Sequence, residues 1–218
     1  MELRIRSKKT AIVLLDREGL LALAKGNYEA VCESCGAVYN ETVGSFFASI
    51  GPSLSSLEME GEDLHWNSVW VGVRKSDGGV IGAIRMMGTP TEKRELTIAL
   101  FPFQDYEDPS FSKLFVKVCE WAFNHRTVYY LRVVPGDDRE EVFLRYYGFV
   151  PHQTDGFFER EKNRPAWVLI CLCMGLSTGV ALGDLFGSSV LGLAVGALFG
   201  VFVGFLLDRQ DISRRKLK

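Results

Sequence analysis

Between Pro165 and Leu207 the sequence carries a single charged side chain, Asp184. So apolar a stretch has no place on the surface of a water-soluble domain, and it is about twice the roughly 20 helical residues that one bilayer crossing needs. Polar and flexible residues interrupt it in the middle, at Gly183-Asp184 and again at Gly187-Ser188-Ser189. The spacing predicts two crossings, Ala166–Leu182 and Val190–Leu207, joined by a short polar turn. Arg160, Lys162 and Arg164 precede the pair, and Arg209, Arg214, Arg215, Lys216 and Lys218 follow it. Because Lys and Arg stay on the cytoplasmic side, both flanks are expected there, with Asp184 at the opposite surface. The expected location is the inner (cytoplasmic) membrane, crossed twice.

Within the two crossings glycine recurs every fourth residue. Gly175, Gly179, Gly183 and Gly187 make one row, and Gly192, Gly196, Gly200 and Gly204 the other. On a helix each row falls on one side and leaves a shallow groove that admits a second backbone. Two uses follow: the rows pack the hairpin on itself, or they also drive self-association or docking with another membrane protein. The pattern resembles the glycine-zipper two-helix modules of small bacterial membrane proteins, a likeness that speaks to architecture and not to chemistry.

The expected division is a soluble domain over residues 1–162, the hairpin over 163–208 and a basic tail over 209–218. The tail holds five of the chain's 25 Lys and Arg, against 27 Asp and Glu in all, so the soluble part is mildly acidic. It has no basic stripe or aromatic platform, which argues against nucleic acid as a partner. Cys32-Glu-Ser-Cys35 is a lone CxxC, and His65, His125 and His152 are scattered, so no metal site is expected.

Glu2–Ser7 and Ala11–Leu15 read as strands, and Leu20 to Ile50 is rich in helix formers. Val69–Arg74 and Val80–Met87 flank Ser76-Asp77-Gly78-Gly79, a strong hairpin signal. Another strand, Glu95–Phe101, follows. Asp108-Pro109-Ser110 suits a helix start, and that helix is expected to run from Phe111 to about His125, burying Leu114, Phe115, Val118, Cys119 and Ala122. Val128–Val134 reads as a central strand. Arg139–Tyr147 reads as a short helix closed by Gly148, with Phe149-Val150 and Gly156–Arg160 as the last strands.

This order, and above all the strand, turn and helix ending at Tyr147-Gly148-Phe149, resembles the GCN5-related N-acetyltransferase (GNAT) fold. The likeness covers about Ala11 to Glu161. It implies an α+β domain with a mixed central sheet flanked by helices, followed here by the all-α hairpin. A fainter likeness, carried by Asp63-Leu64-His65 and by Gly82 with Arg85, runs to the branch that makes N-acyl amino acids and acyl-homoserine lactones. The family moves an acyl group from acyl-CoA, or in some members from acyl carrier protein, to an amine. By that likeness Glu95 stands where a general base acts, Tyr147 is the nearest candidate acid, and Phe101, Gln104 and Ser110 flank the cofactor loop. Arg85 is of a type to hold a carboxylate or phosphate, and equally of a type to pair with a surface acid.

Two departures stand against ordinary chemistry. The family's pyrophosphate loop is glycine-rich, so that backbone N–H groups at a helix N-terminus approach the phosphates. Here the stretch is Pro102 to Ser110, without glycine, and Asp105, Glu107 and Asp108 place three negative charges in it. The tyrosine used as acid four residues before the glycine of Gly-Phe is Leu144. The expectations are therefore a membrane-anchored acyltransferase with a degenerate loop, or a catalytically inactive scaffold or accessory subunit of a membrane complex.

Overall fold

The computed structural model describes residues 4–6, 9–54, 65–152, 155–162, 167–185 and 187–216. The chain divides into two compact units, residues 1–162 and 163–218.

The first unit is built on an eight-stranded sheet: β1 (Arg4–Arg6), β2 (Thr10–Leu14), β3 (Val69–Arg74), β4 (Val80–Met86), β5 (Glu95–Pro102), β6 (Tyr130–Val133), β7 (Val150–Pro151) and β8 (Phe158–Glu161). Their order is β1-β2-β3-β4-β5-β6-β8-β7. Every neighbouring pair is antiparallel except β5 and β6, which are parallel. The helix-rich run is three short helices, α1 (Arg17–Ala24), α2 (Tyr28–Cys35) and α3 (Glu41–Ile50). Each starts on a side-chain cap, Asp16, Asn27 or Asn40, that accepts a hydrogen bond from a first-turn backbone N–H. They cover one face of the sheet around Leu20, Val31, Phe47, Val69, Val71 and Ala83.

The other face is covered by α4 (Pro109–Asn124) and α5 (Asp138–Tyr146) over Ile12, Trp70, Ile84, Leu96 and Leu131. Helix α4 starts on the Asp108 cap with Pro109 in its first turn. It buries Phe111, Leu114, Phe115, Val118, Cys119 and Ala122, each large side chain contributing roughly 1.5–3 kcal/mol. Its close approach depends on Gly72 and Gly82, which pair in register between β3 and β4. A Cβ at Gly72 would lie 2.9 Å from Leu114 Cδ2, and one at Gly82 2.6 Å from Phe111 Cδ2. Helix α5 ends in a Schellman arrangement. Gly148 adopts φ +79°, the Phe149 N–H donates to the Leu144 carbonyl, and the Gly148 N–H to that of Arg145. Strand β6 lies between β5 and β8, as expected of a central strand; Leu131 and Val133 are buried, while Tyr130 and Arg132 face the opposite side, half-buried.

The second unit is two helices, α6 (Trp167–Leu185) and α7 (Ser189–Lys216). Of the two breaks expected from the sequence, the second makes the turn. Gly183 and Asp184 belong to α6, and the reversal is made at Gly187, with φ +77°. The Ser188 N–H then donates to the Gly183 carbonyl, another Schellman bond. Gly187 is thus a capping residue, with open space where a Cβ would be. Gly175, Gly179 and Gly183 face Gly192 and Gly196, while Gly200 lies against the backbone of Cys171 and Leu172. The rows are turned toward each other, and α7 continues as helix through the charged residues of the tail. Its window Ser189–Leu206, of mean hydropathy 2.3, is long and apolar enough to cross a membrane; Leu169–Gly183 of α6 is a shorter apolar segment.

Candidate functional site

The parallel pair sets the geometry. Strands β5 and β6 are in register from Glu95 opposite Tyr130 to Ile98 opposite Val133. Beyond Ile98, β5 runs on to Pro102 against β4 alone, so its carboxyl end parts from that of β6. Each strand then leads into a helix, β5 into α4 and β6 into α5. A cleft of about 1170 Å³ lies between the two helices and the loop after β5. Lys113 and Val116 of α4, Arg139 and Val142 of α5, Tyr147 and Asp105 are among its lining residues. Thr10 of β2 also lines it, and its buried hydroxyl has no hydrogen-bond partner among the described residues.

The loop at the mouth of the cleft occupies its own donors. The Tyr106 N–H donates to the Asp105 carboxylate at 2.6 Å, the Asp108 N–H to the Asp105 carbonyl, and the Ser110 N–H to the Asp108 carboxylate at 2.8 Å. Pro109 has no N–H. Tyr106 turns inward and packs on Phe111 and Phe143, with ring centroids 5.9 and 5.3 Å away. Its hydroxyl meets the buried carboxylate of Glu140, which also accepts from the Gly136 N–H at 2.9 Å. Burial pushes the Glu140 carboxyl above its ordinary range, and burial together with the Glu140 charge pushes the Tyr106 hydroxyl far up as well. A loop residue and a helix residue thus bridge the two parting strand ends.

Glu95 opens β5 directly after Arg94, which takes φ +63°, a conformation unusual for a residue with a Cβ. The Arg94 carbonyl accepts from both the Tyr129 and Tyr130 N–H groups, so the strained turn locks the start of β5 to β6. The Glu95 carboxylate is 3.1 Å from Arg132 Nη1. Arg132 also reaches Asp155 at 3.3 Å and Glu159 at 3.6 Å, and lies over the Phe157 ring at 4.3 Å. Glu95, Thr97, Ala99 and Arg132 share the sheet face opposite α4, and so does Arg85 through its register with Ala99. Arg85 is 4% exposed, and its Nε is buried without a partner among the described residues.

Of the residues singled out by the sequence, Tyr147 lines the cleft, half-buried against Phe115 and Phe143. Gln104 is exposed, Ser110 caps into its own loop, and neither lines the cleft. Phe101 packs on the far face with the α1–α3 core. Leu144 is fully buried. Asp63 and Leu64 lie outside the described residues; His65 stacks among Trp66, Trp121 and His125. Burial, aided by Glu29, raises the Cys32 thiol to about 11. Among the described residues, no three His, Cys, Asp or Glu side chains group as metal ligands. Sequence reasoning missed Tyr106, Glu140 and Arg132. The acidic loop that contains Tyr106 was visible, but an aromatic in a loop carries no sign of turning inward.

No protein-family model matches the sequence, and neither does any curated protein. Among solved structures, the chain is similar to a ribosomal-protein-S5-alanine acetyltransferase from Vibrio fischeri, at 11% identity over 75% of this chain and 100% of that one, with a TM-score of 0.47. It is similar to a GNAT-family acetyltransferase from Bacillus anthracis at 8% identity, covering 74% and 100%, with a TM-score of 0.41. It is also similar to a spermidine N-acetyltransferase chimera from Vibrio cholerae at 11% identity, covering 71% and 96%, with a TM-score of 0.45.

Proposed function

We propose that this chain is a membrane-anchored N-acyltransferase of the GNAT type, taking its acyl group from a thioester whose phosphopantetheine arm lies in the cleft between α4 and α5. The observation that carries the reading is the parting of β5 from β6 beyond Ile98 and Val133, with that cleft beside it. Such an opening lets a thioester reach from the cleft to the face that holds Glu95. The amine nitrogen attacks the thioester carbonyl, forming the C–N bond, and the C–S bond breaks. Glu95, directly or through a water, takes the proton from the amine. The departing thiolate takes one from the Tyr147 hydroxyl, which lines the cleft.

The donor grip differs from a pyrophosphate cradle. The loop N–H groups of Tyr106 and Asp108 are engaged by Asp105, that of Ser110 in the first turn of α4 by Asp108, and the loop's carboxylates repel phosphate. An acyl carrier protein suits the site better than free acyl-CoA, because it presents its arm together with a protein surface. The 18-residue apolar window of α7 supports anchoring, and the inward-facing glycines support a two-pass hairpin that packs on itself. A catalytically silent scaffold is the second reading, favoured by the Arg132–Glu95 ion pair and by Tyr106 closing the strand ends.

The test is thiol release by the detergent-purified full chain, with acyl-CoA or acyl carrier protein as donor and small amines as acceptors. Turnover that is faster with the carrier protein, and that falls by about 100-fold or more in Glu95→Gln, is the expected result. No thiol release with either donor sinks the enzyme reading and leaves the scaffold.

A further inference from the structure

Arg85 and Arg132 lie on the sheet face opposite α4, and their surroundings differ sharply. Arg132 has Glu95, Asp155 and Glu159 within 4 Å. Arg85, in the middle of β4, has no carboxylate and no hydrogen-bond acceptor on its guanidinium among the described residues, although it is 96% buried. Its register partners are Val69 and Ala99, neither of which offers a polar side chain. Burial alone depresses its pKa, with no opposing charge to restore it.

A buried, unpaired guanidinium is among the costliest arrangements a fold can keep. Charges inside proteins are ordinarily paired or bound to a ligand. An apolar residue would pack at this position without that cost. Location adds the second half of the case. Ala99, the partner of Arg85 on β5, is the first residue beyond the last β5–β6 pair, Ile98 with Val133. Arg85 is therefore level with the opening through which the acyl group would emerge, on the face where an acceptor would approach Glu95.

We propose that Arg85 is an oxyanion-binding site that recognises the acceptor, so that the acceptor is an amine that also bears a carboxylate or a phosphate. The planar guanidinium matches either group with two parallel N–H···O bonds. An amino acid presents the first, and the head group of an amine-bearing phospholipid the second. The inference rests on the acyl-transfer reading for the word acceptor, but the binding site itself does not depend on turnover.

The experiment measures binding and melting without any acyl donor, on the full chain in detergent. Probes are glycine, glycine methyl ester (which lacks the carboxylate), inorganic phosphate, and mixed micelles containing phosphoethanolamine lipid. Wild type is expected to bind glycine or a phosphate probe at least tenfold more tightly than the methyl ester, and Arg85→Met to lose that preference. Preference for glycine identifies an amino-acid acceptor, and preference for phosphate or the lipid a head group. Arg85→Met is also expected to melt at the wild-type temperature or above it, because it removes an unpaired buried charge. A structural role predicts the opposite, so a lower melting temperature overturns the assignment. So does equal binding of ester and oxyanion probes, or binding unaffected by Arg85→Met. Oxyanion binding without thiol release in the donor assay keeps this site and sinks the acyl-transfer reading. Turnover of oxyanion-bearing amines, unchanged in Arg85→Met, does the reverse.

Discussion

Glu140 is buried at the start of α5 with two donors on its carboxylate, the Gly136 N–H and the Tyr106 hydroxyl. Burial nevertheless raises its pKa. A carboxyl whose pKa is higher in the folded than in the unfolded state gives stability that is present at low pH and lost as pH rises through the folded value. Glu140→Gln, which keeps an acceptor oxygen for Gly136, is therefore expected to melt higher than wild type at pH 8. The gain should shrink as pH falls toward the ordinary carboxylate range; a variant that is less stable at every pH contradicts the assignment. The thiols of Cys32 and Cys119 sit at about 11 and about 12, each raised first by burial. Both are expected to resist iodoacetamide in the folded chain at pH 8 and to react once it is unfolded. At this scale the sequence said least. Arg85 and Glu95 stood out as chemical types, but the unpaired state of the one and the Arg132 partner of the other come from strands distant in the chain.

Elements were far more legible. Strands β3, β4 and β5, the core face of α4 and the Gly148 stop of α5 all follow from local patterns: alternation, helical spacing and a left-handed cap. The same local logic bounded the turn between the two helices but offered two breaks for it. Gly183-Asp184 looks like a break, yet only Gly187 takes the positive φ that ends α6. Within the long run from Leu20 to Ile50, which reads only as rich in helix formers, Asn27 and Asn40 are the caps that divide it into separate helices. Two substitutions test this layer. Asp108→Ala removes the α4 cap and is expected to cost about 1 kcal/mol, read by chemical denaturation. Gly196→Leu would drive its side chain into the Gly175 backbone, so α6 and α7 must part. Loss of helical circular dichroism on mild heating in detergent is the expected outcome, with Ala197→Leu as a control that keeps wild-type melting.

At the scale of the whole molecule, sequence gave the order of elements, and with it the resemblance to an acyl-transfer fold. It did not reveal how that order closes the expected cofactor loop on itself, because the Tyr106–Glu140 contact joins a loop to a helix three elements later. The account rests on one claim, that the cleft between α4 and α5 receives the acyl-phosphopantetheine arm. Val142 lines that cleft and is 69% exposed, so Val142→Trp fills the space without touching the core. The deciding measurement is a calorimetric titration of acyl carrier protein, charged with its acyl-phosphopantetheine, into the full-length wild type and Val142→Trp in the same detergent. The account predicts binding to wild type, weakened at least tenfold by Val142→Trp at an unchanged melting temperature. No heat of binding to wild type, or equal binding to both, would contradict it.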